Sequence, residues 1–330
     1  MNQPEFSPGY VWFEPANNDG CAKVDLQSLY PISDPEALQD AWNKKNTVIS
    51  ELPNGTVTTV TTFNKDAGER PILWLPGWGV SNLEGGGARV ATVLATLNPN
   101  RPVMAVEELA NVPERHKQRA SKGDMSLYAS NYMNILENCG VEVLSGHSRG
   151  GLILAELAKR SDVADISVIN LMDMPRARGY HTTTGFGFRI GLLDNLVQKK
   201  YADQVSLSEE EIFNSFGEIA SSGGPKEASG RARDQWWIIR AMTKSGLQDI
   251  LEEAIKQQPL ASLYIWHGNK SIGAPVSATR HLVGDLRRYS AKLGIKNPLR
   301  YFESSTGHYT VGHTARCGRQ TAFSIEQSGL

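Results

Sequence analysis

The sequence predicts an α/β protein: a mostly parallel sheet with helices on both faces and a helical insertion. Three observations carry that reading. Short apolar runs, ILWL (72–75), VMAV (103–106), VEVLS (141–145), ISVINLM (166–172), SLYIWH (262–267) and LRYF (299–302), are continuous rather than alternating, as in strands covered on both faces. Between them, LYASNYMNILENCG and LILAELAKRS place apolar residues three and four apart, the helical period, and the first closes on Gly140, a helix stop. The interval from Met172 to Ser262 is far longer than the other crossovers, so it must hold elements of its own.

Taken in order, residues 1–45 carry scattered aromatics and Pro/Asn/Gly turns without a sustained period, and read as an N-terminal extension packed on the body. TVISELPNGTVTTVTTF then sets two β-branched segments around Asn54-Gly55, a hairpin signal that predicts an antiparallel edge. The body runs over 46–175 and 259–330. The insertion, 176–258, reads as a mostly helical cap: Ser208 and Glu211 stand in capping-box relation, RDQWWIIRAM and LQDILEEAIK continue as helix, and SSGGPKEASG between them is a loop by composition.

Charge excludes several function classes. Thirty-four Lys and Arg stand against 35 Asp and Glu with no long like-charged run, so neither nucleic acid nor an anionic membrane is an expected partner, and the ligand is expected to be small. Cys21, Cys139 and Cys317 are odd in number, far apart and outside any CxxC pattern, which fits a reducing compartment and no zinc site. The first residues lack a basic and an apolar signal region, and no stretch approaches the ~18 apolar residues of a membrane helix, so the expected location is cytoplasmic. No metal or organic cofactor is implied.

The chemistry concentrates in VEVLSGHSRGGLILAEL. A strand leads in, a helix leads out, and Gly146-His147-Ser148-Arg149-Gly150 makes the turn, the G-x-S-x-G nucleophile elbow. The flanking glycines have a steric reason, because the serine backbone is held in an unfavourable conformation and neighbouring side chains would clash. The turn lifts the Ser148 hydroxyl to a helix N-terminus, where the dipole favours developing negative charge. The plain alternative is a Gly/Ser connection without chemistry.

With PILWLPGWG, GHSRGG and a late STGHY following the hairpin in order, the chain from about 46 to 325 resembles the α/β-hydrolase superfamily. The resemblance implies a mostly parallel eight-stranded sheet with an inserted helical cap. It places one oxyanion donor in LPGWG, so that the N–H groups of Trp78 and Arg149 would form the oxyanion hole, with Trp78 also walling the pocket. It places the base on a loop after the last strand, where His308 stands; among the other histidines, His147 sits inside the elbow with its side chain expected to point away from the nucleophile. The family's usual acid position past the seventh strand is departed from, since His267-Gly268-Asn269-Lys270-Ser271 puts Ser271 there. Some members draw the acid from the end of the sixth strand instead, and ISVINLMDMP ends on Asp173 there, which otherwise reads as the cap of a turn opening the insertion. Glu303 is a weaker candidate, and Asp124 reads as a helix cap.

The expected enzyme is therefore a serine-dependent hydrolase of an ester, thioester or lactone, with Ser148, His308 and Asp173 catalytic and Trp78, His147, Trp236 and Trp237 at the substrate. The cap residues Phe186, Phe188, Ile190, Leu192, Leu193, Trp236 and Trp237 suggest an apolar acyl or aromatic group, or simply form the cap's own core. Because the usual acid is missing, an acyltransferase or thioesterase acting on a carrier-bound acyl group, and a catalytically inactive ligand-binding homologue, stay open.

Overall fold

The computed structural model describes residues 10–14, 22–32, 34–51, 57–77, 85–107, 117–160, 165–175, 240–268, 271, 276–296, 299–304 and 314–330. In chain order these form β1 (Tyr10–Glu14), β2 (Ala22–Asp25), α1 (Leu26–Leu29), α2 (Pro35–Asn43), β3 (Asn46–Glu51), β4 (Val57–Phe63), β5 (Ile72–Leu75), α3 (Gly85–Leu97), β6 (Val103–Val106), α4 (Lys117–Ser121), α5 (Ser126–Ala129), α6 (Met133–Cys139), β7 (Val143–His147), α7 (Arg149–Ala158) and β8 (Val168–Met172). There follow α8 (Leu247–Gln257), β9 (Ser262–Gly268), α9 (Val276–Lys292), β10 (Leu299–Ser304) and α10 (Thr314–Glu326).

Among the described residues the strands join one sheet in the order β2-β1-β10-β9-β8-β7-β5-β6-β4-β3. The six from β5 to β10 run parallel, while β3 and β4 pair antiparallel across the predicted hairpin with Glu51 opposite Val57. These eight strands match the expected sheet. The structure adds two more, because β1 of the N-terminal extension pairs antiparallel with β10 and β2 pairs antiparallel with β1. Their backbone continues the ladder, so no apolar period was needed to mark them.

The continuous apolar runs divide between two cores by the two-residue period of a strand. Ile72 and Trp74, Val103 and Ala105, and Tyr264 and Trp266 face the layer of α2 and α3. Leu73 and Leu75, Met104 and Val106, and Leu263 and Ile265 face the layer of α7 and α8. Burial on both faces is what makes each run unbroken in sequence. A buried polar cluster lies within the first layer: the Asn170 amide donates to Ser145 Oγ (3.2 Å) and Thr321 Oγ1 (2.9 Å), and its oxygen accepts from Trp266 Nε1 (2.6 Å) and Ser324 Oγ (3.1 Å). It ties β7, β8 and β9 to α10.

Most of the predicted cap, 176–239, lies outside the described residues. The end of that interval is a helical turn at 240–244 and then α8, whose Leu247, Ile250, Leu251, Ala254 and Ile255 are buried and which packs on α7 and α9. This helix covers the sheet as a crossover element. Among the described residues no helix is long and apolar enough to cross a membrane.

Candidate active site

The strand order places the site. From β5 the chain moves to β6 on one side and then returns to β7 on the other, so the C-terminal ends of β5 and β7 flank the point where the sheet's winding reverses, which is where ligands bind in such sheets. The elbow sits there. The sequence puts the end of the strand near Ser145 and the helix start at Gly151; the structure carries β7 on to His147, paired with Met172, and starts α7 at Arg149. The turn is thus a single residue, Ser148, tighter than the motif alone implies.

Ser148 has φ 51° and ψ −116°, a region L-residues rarely adopt, at a strain of roughly 1–3 kcal/mol. Its surroundings hold it there. The Ser148 N–H donates to the Met172 carbonyl (2.8 Å), and its own carbonyl accepts the first intrahelical bond from Leu152 N–H (3.2 Å). The elbow glycines are required by contact: a Cβ on Gly146 would come within 2.8 Å of backbone atoms of Gly150 and Gly151, and one on Gly150 within 2.2 Å of the Leu75 carbonyl oxygen. The segment opening LPGWG therefore lies directly against the elbow. A Cβ on Gly77 would likewise meet His147 Nδ1 at 2.7 Å, so the buried His147 imidazole packs beneath that segment, 5% exposed. Gly77 belongs to the loop that the resemblance assigns to the oxyanion, so His147 packs against that loop. Trp78 lies outside the described residues, whereas Arg149 is buried as the first residue of α7, where helix amides and dipole favour an anion.

Asp173 is the second strained residue of the site, with φ 45° and no exposed surface, one position past the end of β8. Its N–H donates to the Trp266 carbonyl (2.8 Å), and its Oδ1 accepts the Gly268 N–H. These bonds turn the chain at the strand end and aim the carboxylate along the C-terminal edge of the sheet. Two residues outside the predicted catalytic set lie beside it. His267 Nδ1 is 3.7 Å from Oδ1, and Arg316 Nη2, from the first turn of α10, is 3.6 Å from Oδ2. His267 was visible as the end of a strand in an HGxxD-like stretch, but Arg316 has no local motif and only the packing of α10 reveals it.

The competing carboxylates are engaged elsewhere. Glu303 accepts from the Arg280 guanidinium and from the Tyr301 hydroxyl (2.9 Å), and Asp124 accepts the Ser126 N–H (3.1 Å) and pairs with Arg119 (2.7 Å), one residue ahead of Met125, which holds the cap position of α5. Ser271, at the position of the missing acid, is buried with its N–H on the Gly268 carbonyl (2.9 Å). His308, Trp236 and Trp237 lie outside the described residues, so the structure brings together Ser148, Arg149, His147 and Asp173 of the predicted set. Among the described residues, no group of three His, Cys, Asp or Glu side chains could hold a metal ion.

No family model and no curated protein sequence matches the chain. Solved structures do. An enol-lactonase from Burkholderia xenovorans LB400 superposes with a TM-score of 0.55 at 13% identity, over 85% of this chain and 100% of that one. A serine hydrolase from Cycloclasticus zankles gives 0.52 at 16% identity, over 86% and 97%. The 2-hydroxy-6-oxo-6-phenylhexa-2,4-dienoate hydrolase of Rhodococcus sp. strain RHA1 gives 0.52 at 14%, over 86% and 98%. At such identities the likeness speaks for architecture, and it agrees with the strand order, the elbow and the two layers of helices: this chain has the α/β-hydrolase fold.

Proposed function

We propose that the protein is a serine hydrolase that cleaves an ester, thioester or lactone of moderate size through an acyl-enzyme on Ser148. The observation that carries this reading is the strained backbone of Ser148 between β7 and α7, hydrogen-bonded to the strand end from which the buried Asp173 projects. Strain of this kind persists only where the surroundings impose it, and a connection without chemistry would relax to an ordinary turn. In the proposed cycle His308 takes the Ser148 proton as the hydroxyl attacks the carbonyl carbon. Asp173 stabilises the resulting imidazolium, the Trp78 and Arg149 amides hold the oxyanion, and His308 then protonates the leaving group before water resolves the acyl-enzyme. Residues from 176 to about 239 form the cap, and Trp236, Trp237, Trp78 and His147 line the acyl pocket. An enol-lactonase and a 2-hydroxy-6-oxo-6-phenylhexa-2,4-dienoate hydrolase among the structural neighbours are named as hydrolytic enzymes, which supports the reading.

The test is covalent labelling. A fluorophosphonate probe is expected to modify Ser148 in the wild type and not in Ser148→Ala, and p-nitrophenyl esters of increasing chain length should be turned over by the wild type alone. Absence of labelling and of ester turnover in the folded wild type overturns the reading.

A further inference from the structure

Arg316 is an unusual residue for its place. It is the third residue of α10, 9% exposed, and an arginine this deep is rarely found without an anion to answer it. The anion is Asp173, whose Oδ2 lies 3.6 Å from Arg316 Nη2 while Oδ1 takes the Gly268 N–H. At 3.6 Å the contact is an ion pair rather than a hydrogen bond, so it acts through charge. Among the described residues, His267 of β9 also faces the acid, with its Nδ1 3.7 Å from Oδ1.

We infer that Arg316 is a positioning residue for the acid: it holds Asp173 ionised inside the protein and fixes the first turn of α10 to the acid. This rests on the serine hydrolase reading and extends it. A buried carboxylate favours its neutral form by desolvation, and a neutral Asp173 would not stabilise an imidazolium. The guanidinium opposes that. Its removal favours the protonated carboxyl, and it also removes a repulsion felt by a protonated base, so both effects push the loss of activity on the acid side toward higher pH.

The experiment is the pH dependence of p-nitrophenyl acetate hydrolysis from about pH 5 to 9 for wild type, Arg316→Met, Arg316→Lys, Asp173→Asn and the double variant, with thermal midpoints measured alongside. Arg316→Met is expected to move the acid limb up by about half a unit or more and to lower kcat roughly tenfold with KM little changed. Arg316→Lys, which keeps the charge, should return the limb close to the wild-type position. In the Asp173→Asn background the Arg316 substitution should move the limb by clearly less, because only the repulsion felt by the base is left to lose. Arg316→Gln is the second neutral variant if Arg316→Met does not fold. A lowered thermal midpoint with an unmoved acid limb, or an equal effect with and without Asp173, overturns the proposal. Fluorophosphonate labelling of the wild type separates the two levels: an unlabelled wild type removes the nucleophile and this role with it, whereas labelling with an unmoved limb rejects Arg316 alone.

Discussion

Gly150 lies against the carbonyl oxygen of Leu75, so closely that a Cβ there would sit 2.2 Å away. The contact joins the elbow to the segment that carries the proposed oxyanion loop, and it involves backbone on both sides. Neither partner can yield cheaply. Gly150→Ala is expected to cost more than about 2 kcal/mol of stability and to reduce ester turnover by about 10² or more, since one oxyanion donor alone is worth that much. Chemical denaturation and steady-state kinetics check both; a variant with unchanged kcat would mean that the two segments do not act together.

Ser148 is strained and glycine is not at φ 51°. Ser148→Gly should therefore be more stable than Ser148→Ala by about 1 kcal/mol although both lack the nucleophile. Urea midpoints of the two inactive variants measure this directly, and equal midpoints would show that the elbow stores no backbone strain.

Asp173→Asn keeps the size of the side chain and removes its charge. Turnover is expected to fall by two to four orders of magnitude, on the order of 10²–10⁴, with KM little affected. Full activity in this variant would move the acid to another residue.

The Asn170 amide uses both of its ends in the polar cluster beneath α10. Asn170→Leu takes the acceptor from the buried Trp266 N–H and one bond from each of three hydroxyls, which keep their bonds to one another or to helix carbonyls, and about 2–4 kcal/mol of stability should be lost. Loss of less than 1 kcal/mol in a denaturation curve would show that the cluster rearranges around an apolar side chain.

At the opposite end of the strands, Glu142 Oε2 accepts from Arg101 Nη1 (2.7 Å) and Oε1 from Ser167 Oγ (3.0 Å). Burial pushes this carboxyl up, but the Arg101 and Ser167 hydrogen bonds and the Arg101 charge outweigh it and hold it below the usual glutamate range. A depressed folded value means the stabilisation is fully present above the ordinary glutamate range and fades as pH falls through the folded value. Glu142→Gln should accordingly cost roughly 1–3 kcal/mol near neutrality and progressively less in acid. A constant difference across that range would remove this carboxylate from the acid sensitivity of the fold.

The elements lying within one stretch of chain were legible in the sequence. Apolar runs such as ILWL and VMAV marked strands because both faces of a covered strand are buried, and GHSRGG marked the elbow because its steric demands fall on consecutive residues. Asp173 was readable for the same reason, as a carboxylate closing a strand. What the tertiary structure decided depends on residues far apart in sequence. The pairing of β1 with β10, and of β2 with β1, is made by backbone groups that carry no pattern, and the packing of His147 on Gly77 and of Arg316 on Asp173 needs the sheet wound and α10 laid across it. Periodicity and motif spacing report what a residue's near neighbours require of it; a charge or contact supplied from another element leaves no local trace.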